Sequence, residues 1–180
     1  MNRAVFLDRD GTLIKNEHYL SDPRKIKIYK GVVFSLLSLQ KQGWKLIVGT
    51  NQAGIGRGLL TVQRLDEIHK KLFGIFEKQG LKIDAVYFCP HHPNDHCKCR
   101  KPQTKMILQA QKKFHLNLKQ CVVVGDNESD IRWGQNVGAQ TILVLTGYGK
   151  RTFSEQKVKP NVVVRSFPYA AKWILNHLKN

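Results

Sequence analysis

Phe6-Leu7-Asp8-Arg9-Asp10-Gly11-Thr12 is the stretch from which the rest of this chain can be read. Ala4 to Leu7 is a short apolar run, long enough for a buried strand. Two carboxylates follow two residues apart, and Gly-Thr comes at once. Residues i and i+2 of a strand share a side, so Asp8 and Asp10 start close together. They stand at the carboxyl end of the strand, where open α/β sheets place ligands. Carboxylates this close repel unless a cation lies between them or one keeps its proton. Either solution suits a metal-assisted site with a nucleophile and an acid. An Asp-Gly turn with an incidental second Asp would also explain these residues alone, so the remaining chain decides.

Working outward, apolar runs alternate with helical patterns. Strands are expected at Trp44–Val48, Ala85–Phe88, Cys121–Val124, Thr141–Leu145 and Val162–Val164. Val32, Val33, Leu36, Leu37 and Leu39 recur at helical spacing, and Gly43 stops them. Thr61 caps a second helix whose stripe is Leu65, Ile68, Leu72, Ile75 and Phe76. Pro102 suits the first turn of a third, Ser129–Val137 is a fourth, and Pro168–Leu178 closes the chain. Gly54, Gly56 and Gly58 lack dinucleotide-binding spacing and read as turn residues. The alternation predicts a Rossmann-like α/β domain over residues 1–180, a parallel sheet with helices on both faces. No stretch between the motifs is long enough for a large cap domain.

Composition narrows the class. The 180 residues carry 30 Lys+Arg against 13 Asp+Glu, a formal net charge of +17. Such a balance favours anionic partners: phosphorylated substrates, nucleic acid or acidic surfaces. No apolar run approaches the roughly 18 residues of a membrane span. Met1-Asn2-Arg3 enters the first strand without a cleavable leader, so the expected location is cytoplasmic. Three of the four cysteines, Cys89, Cys97 and Cys99, crowd beside histidines, which favours metal over disulfides. Cys121 opens an apolar run and reads as core.

Each strand end delivers chemistry. The first gives Asp8 and Asp10, the second Thr50 and Asn51, the fourth Asp126 with Asp130 four residues on. Arg100-Lys101 lies between them. In a parallel sheet these ends share one edge. Carboxylates, a hydroxyl, an amide and two cations suit a phosphoryl group held with a divalent cation. Cys89-x-His91 and Cys97-x-Cys99 supply four ligands within eleven residues, as a structural Zn²⁺ site needs. His92 and His96 stand close enough that spacing alone does not choose among the histidines.

Asp8-x-Asp10-Gly-Thr, Thr50, Lys101 and Gly125-Asp126-x-x-x-Asp130 resemble the four motifs of the haloacid dehalogenase superfamily. Asp8-Arg-Asp-Gly-Thr-Leu-Ile, Thr50-Asn-Gln-Ala-Gly-Ile-Gly-Arg-Gly, Cys89-Pro-His-His and Cys97-Lys-Cys-Arg-Lys-Pro resemble its D-glycero-D-manno-heptose 1,7-bisphosphate phosphatases. The resemblance covers residues 4 to 149. It implies Asp8 as nucleophile forming an aspartyl-phosphate, and Asp10 as acid and then base. It implies Mg²⁺ on the Asp8 side chain, the Asp10 carbonyl and Asp126. Thr50 would bond the transferring phosphoryl, and Lys101 would neutralise it. Asp130 would hold Lys101 or cap its helix rather than bind metal. The initial proton on Asp10 would be favoured by the charge of its neighbour Asp8.

The same resemblance makes His91 the zinc ligand and gives the zinc loop a scaffolding task, holding Arg100-Lys101. Arg100 would take the second phosphate or hydroxyls of a phosphorylated sugar. Asn16, Glu17, His18, Tyr19, Asn51, Gln52, Ala53, Arg57 and Asn127 are further substrate-contact candidates. The implied reaction removes the carbon-7 phosphate and leaves heptose 1-phosphate for nucleotide-heptose and surface polysaccharide synthesis. A monomer is expected. Thr104-Lys105 departs from the family's usual Pro-Gly and bears on finer specificity. The rival readings are a histidinol-phosphate phosphatase, which shares these motifs, and a polynucleotide 3′-phosphatase or nucleic-acid binder, suggested by the charge.

Overall fold

The computed structural model describes residues 2–17 and 19–178. Its sheet comprises β1 (Ala4–Leu7), β2 (Lys45–Asn51), β3 (Ala85–Cys89), β4 (Val122–Gly125), β5 (Gln140–Val144) and β6 (Val162–Val164). All pairings are parallel, in the order β3-β2-β1-β4-β5-β6. The chain steps from β1 out to β3, then crosses to the other side of β1 at β4. That reversal opens a crevice between the carboxyl ends of β1 and β4, the ligand position of open α/β sheets.

The helices are α1 (Val32–Lys41), α2 (Ala53–Gly56), α3 (Val62–Glu77), α4 (Lys105–Phe114), α5 (Glu128–Gln135), α6 (Gly149–Glu155) and α7 (Phe167–His177). Period-two alternation sends strand side chains to two cores. Val5, Leu7, Leu46, Val48, Val122 and Val124 meet apolar residues of α1, α3 and α7 on one face. Ala4, Phe6, Ile47 and Val123 meet Met106, Ile107 and Trp133 of α4 and α5 on the other. With both faces covered, the central strands read as unbroken apolar runs. Each fully buried Val, Leu, Ile or Phe contributes roughly 1.5–3 kcal/mol.

Three local expectations need correction. Gly54 and Gly56 fall in the short helix α2 rather than a plain turn, while Gly58 takes the expected turn at φ +69°. A Cβ at Gly56 would meet the His92 backbone nitrogen at 2.3 Å, so this glycine permits a close approach to the cysteine–histidine loop. Pro102 is not in the first turn of α4: it follows a cis peptide bond, and the helix begins at Lys105 after the Thr104 N-cap. Helix α6 was not expected from the sequence, because Gly149–Glu155 is mostly polar and carries no periodic apolar stripe.

Candidate active site

The ladder extends one residue past β1, where the Asp8 N–H donates to the Val124 carbonyl at 3.0 Å. Asp8 is thereby delivered beside Asp126, which ends β4, and Asp130, in the first turn of α5. Lys101 reaches them from the loop after β3. Its Nζ lies 2.6 Å from Asp8 Oδ1, 2.6 Å from Asp130 Oδ1 and 2.8 Å from the Gly49 carbonyl. Asp8 and the Gly49 carbonyl accept hydrogen bonds from this ammonium, and Asp130 balances its charge as an ion pair. Gly49 lacks a side chain because a Cβ there would meet the Trp133 ring at 2.3 Å. That ring also lies under Lys101, 5.4 Å from Nζ.

Burial raises Asp8 to about 7 against the pull of Lys101. Burial, then the charges of Asp8 and Asp130, raises Asp126 as well. Against its own burial, Lys101 is held above its ordinary range by Asp130 and Asp8. Asp126 receives the Tyr148 N–H at 2.7 Å. It is gripped by Gly11 (φ +85°) and Gly147 (φ +54°), where a Cβ on either would meet Asp126 Oδ2 at 2.0 Å. Asp8, Asp126 and Asp130 offer oxygens within 4.8 Å of one another. Three carboxylates against one ammonium leave two surplus negative charges in a buried crevice. An all-oxygen set with that surplus fits a hard divalent cation such as Mg²⁺.

Asp10 has a different setting. The strand ends at Leu7, and a turn carries Asp10 toward α3. Arg9, buried between the two aspartates in sequence, grips it with Nε to Oδ2 at 3.0 Å and Nη2 to Oδ1 at 3.1 Å. Gln52 Nε2 donates to Asp10 Oδ2 at 3.1 Å and to Thr50 Oγ1 at 2.8 Å. The Asp8 charge that was expected to favour a proton on Asp10 is opposed by a second charge in direct contact, the Arg9 cation. Spacing gives neighbours along a strand and says nothing of the partner each side chain finds.

Asp8, Asp10, Thr50, Lys101 and Asp126 line one cavity of about 410 Å³. Asn16, Glu17, Tyr19, Asn51, Gln52, Ala53, Arg100 and Asn127 line it too. Arg57 is not among its lining residues; it is exposed at the C-cap of α2. His18 lies outside the described residues. Asn51 uses its side chain structurally, with Nδ2 to the Lys101 carbonyl at 3.2 Å and the Lys101 N–H to Oδ1 at 3.0 Å. Arg100 Nη1 is buried with no hydrogen-bond partner among the described residues. A buried unpaired donor on a cavity-lining cation is costly unless a ligand meets it. Asp130 both pairs with Lys101 and completes a capping box with Asn127. Arg9 and Tyr148 also line the cavity and were not singled out in the sequence. A basic residue between two closely spaced aspartates was the available signal for Arg9.

The loop after β3 gathers Cys89, His91, Cys97 and Cys99. Neighbouring ligand atoms stand 3.2 Å (His91 Nδ1–Cys99 Sγ), 3.5 Å (Cys89–Cys97) and 3.6 Å (Cys97–Cys99) apart. Tetrahedral ligands at a Zn–S distance of ~2.3 Å lie roughly 3.8 Å apart, so this set fits with little movement. His92 is occupied elsewhere, its Nδ1 accepting the Asn94 N–H at 3.2 Å. Burial pushes the Cys89 thiol up to about 12. Against burial, backbone N–H groups of Arg100 and Cys99 bring Cys97 down to about 7. Cys99 stands two residues before Lys101, next to the crevice in the chain.

This arrangement defines a phosphatase of the HAD hydrolases, and the comparisons agree. Residues 98–170 match the HAD-hydrolase-like family model. The chain is 37% identical to the D-glycero-beta-D-manno-heptose-1,7-bisphosphate 7-phosphatase of Helicobacter pylori, over 80% of this chain and 84% of that protein. It is 40% identical to the D-glycero-alpha-D-manno-heptose-1,7-bisphosphate 7-phosphatase of Burkholderia mallei, over 80% of each. The fold superposes on the D,D-heptose 1,7-bisphosphate phosphatase of B. bronchiseptica, solved with magnesium and phosphate. That match has a TM-score of 0.91 and 28% identity and covers 98% of this chain and 99% of the other. The chain belongs to the heptose 1,7-bisphosphate 7-phosphatase family. No helix among the described residues is long and apolar enough to cross a membrane.

Proposed function

We propose that the chain is an Mg²⁺-dependent phosphatase acting on the carbon-7 phosphate of D-glycero-D-manno-heptose 1,7-bisphosphate. One observation carries this reading: Asp8, its Lys101 partner and Asp126 stand together on a cavity also lined by Arg100, whose Nη1 is unpaired. Asp8, Asp126 and the Asp10 carbonyl would hold the metal. When bound, Mg²⁺ supplies charge that lets two anions meet and offsets charge on the phosphoryl oxygens.

Lys101 holds Asp8 Oδ1, so Oδ2 is the attacking atom. The Asp8–phosphorus bond forms as the bond to the sugar oxygen breaks, and protonated Asp10 gives that oxygen its proton. Water then cleaves the aspartyl-phosphate, yielding its proton to Asp10 and releasing phosphate. Arg9 and Gln52 hold the ionised Asp10 between the two steps. Thr50 and Lys101 orient and neutralise the phosphoryl group, and Arg100 receives the second phosphate. Cys89, His91, Cys97 and Cys99 would hold a structural Zn²⁺ that keeps Arg100-Lys101 in place. The product is heptose 1-phosphate.

A phosphate-release panel tests this reading. Its arms are both anomers of heptose 1,7-bisphosphate, histidinol phosphate and a 3′-phosphorylated oligonucleotide, each with Mg²⁺ and with chelator. The heptose substrates should give the highest kcat/KM, and only with metal. Faster turnover of the oligonucleotide or of histidinol phosphate would overturn the assignment.

A further inference from the structure

The buried face of α3 carries one imidazole. His69 lies between Ile68 and Leu72, is 9% exposed, and packs against the rings of Phe73 (centroids 5.5 Å) and Phe88 (6.3 Å). Its Nε2 stands 3.1 Å from Arg9 Nη1. Arg9 is 1% exposed, and its other donors, Nε and Nη2, both go to Asp10. A guanidinium nitrogen has no lone pair to offer, so a hydrogen bond here requires an unprotonated Nε2. Burial and then the Arg9 charge keep His69 in that form, lowering it to about 4.

Resting on the acid–base assignment of Asp10 above, we infer that His69 is a positioning residue for the reaction: as the neutral acceptor for Arg9, it aims the guanidinium whose two other donors orient the Asp10 carboxyl. The chain His69–Arg9–Asp10 runs from the core of α3 to the cavity. Arg9 is anchored at both ends, and Asp10 cannot swing from the leaving oxygen without giving up the two hydrogen bonds from Arg9. His69 also lines a second cavity of about 310 Å³, with Val62, Leu65, Asp66 and Phe88. Substitution at His69 therefore meets free space rather than a closed core.

The test is steady-state kinetics on heptose 1,7-bisphosphate with Mg²⁺, with the fold checked by circular dichroism. His69→Leu removes the acceptor and keeps an apolar packed side chain; His69→Phe does the same with a ring. Loss of a charge-assisted hydrogen bond should lower kcat about tenfold to a hundredfold, with KM within about threefold. His69→Gln, which keeps an acceptor oxygen, should retain kcat within about threefold of the starting enzyme. In the Asp10→Asn background, His69→Leu should produce no further loss, because its effect passes through Asp10. Wild-type kcat in folded His69→Leu and His69→Phe, or a Gln variant as impaired as Leu, would overturn the inference. So would a full further loss in the Asp10→Asn background. An active Asp10→Asn enzyme would instead overturn the acid–base reading, so the two failures are distinguishable.

Discussion

Two clusters among the described residues could hold a cation, and they are constructed in opposite ways. The acidic crevice draws Asp8, Asp126 and Asp130 from segments more than a hundred residues apart, and all three are buried. The cysteine–histidine loop draws its four ligands from one stretch, Cys89 to Cys99, with His91 exposed. The crevice therefore needs the sheet to exist before it does, and it holds repelling charges the fold must already restrain. The loop shapes itself around its ligands, and its thiols need no counter-charge until they ionise. Removing a cation should thus have different consequences: lost chemistry in the crevice, lost shape in the loop.

Asp8→Asn is the strongest way to sharpen this contrast. It should lower kcat by about a thousandfold or more and leave circular dichroism and melting unchanged or improved, since burial already disfavours the charge on Asp8. Substantial residual turnover would remove Asp8 as nucleophile. Cys99→Ser attacks the other cluster. Metal analysis should then find zinc well below one per chain, with a stability loss of about 2–5 kcal/mol. Activity should fall with it, because Lys101 is two residues away. Full activity in a zinc-free protein would show that the loop does not support the crevice.

The acid limb gives a smaller and signed effect. His69 titrates near 4 in the folded protein against an ordinary value near 6.5. Between those values the unfolded chain binds more protons, so the group's stabilising contribution, complete above 6.5, is lost as pH falls toward 4. Urea melts at pH 7 and pH 4.5 should show about 1–3 kcal/mol less acid loss in His69→Gln than in the starting protein. Equal losses would mean that His69 is not held neutral. Smallest is Gly74→Ala on α3, far from both clusters. An added Cβ there meets nothing within 4 Å. The helix should gain about 0.5–1 kcal/mol, read as a melting temperature higher by roughly 1–4 °C. A drop would mean that the glycine serves packing not apparent at this site.

Much of this molecule was legible in one dimension because the signals are local. Apolar runs between helical stripes place β1 to β6 to within three residues at each end, and the paired cysteines mark a candidate metal loop without choosing its histidine. Asp8, Asp126 and Lys101 could be grouped because parallel strands bring their carboxyl ends to one edge. The short helices α2 and α6 were missed, since neither is long enough to show a period. His69 stood in an apolar stripe as a lone polar residue, a mark of burial without a mark of its partner.

Returning to Phe6–Thr12, the sequence determined that a buried strand is followed by two carboxylates and pointed to phosphoryl chemistry there. The tertiary structure decided how the two carboxylates differ. Asp8 meets Lys101 across the crevice, while Asp10 is taken by Arg9, itself anchored on His69. Spacing sets which side chains leave a strand together. Which partner each one meets depends on side-chain directions and on segments 42 to 93 residues away, and only the packed fold brings those within 3.1 Å.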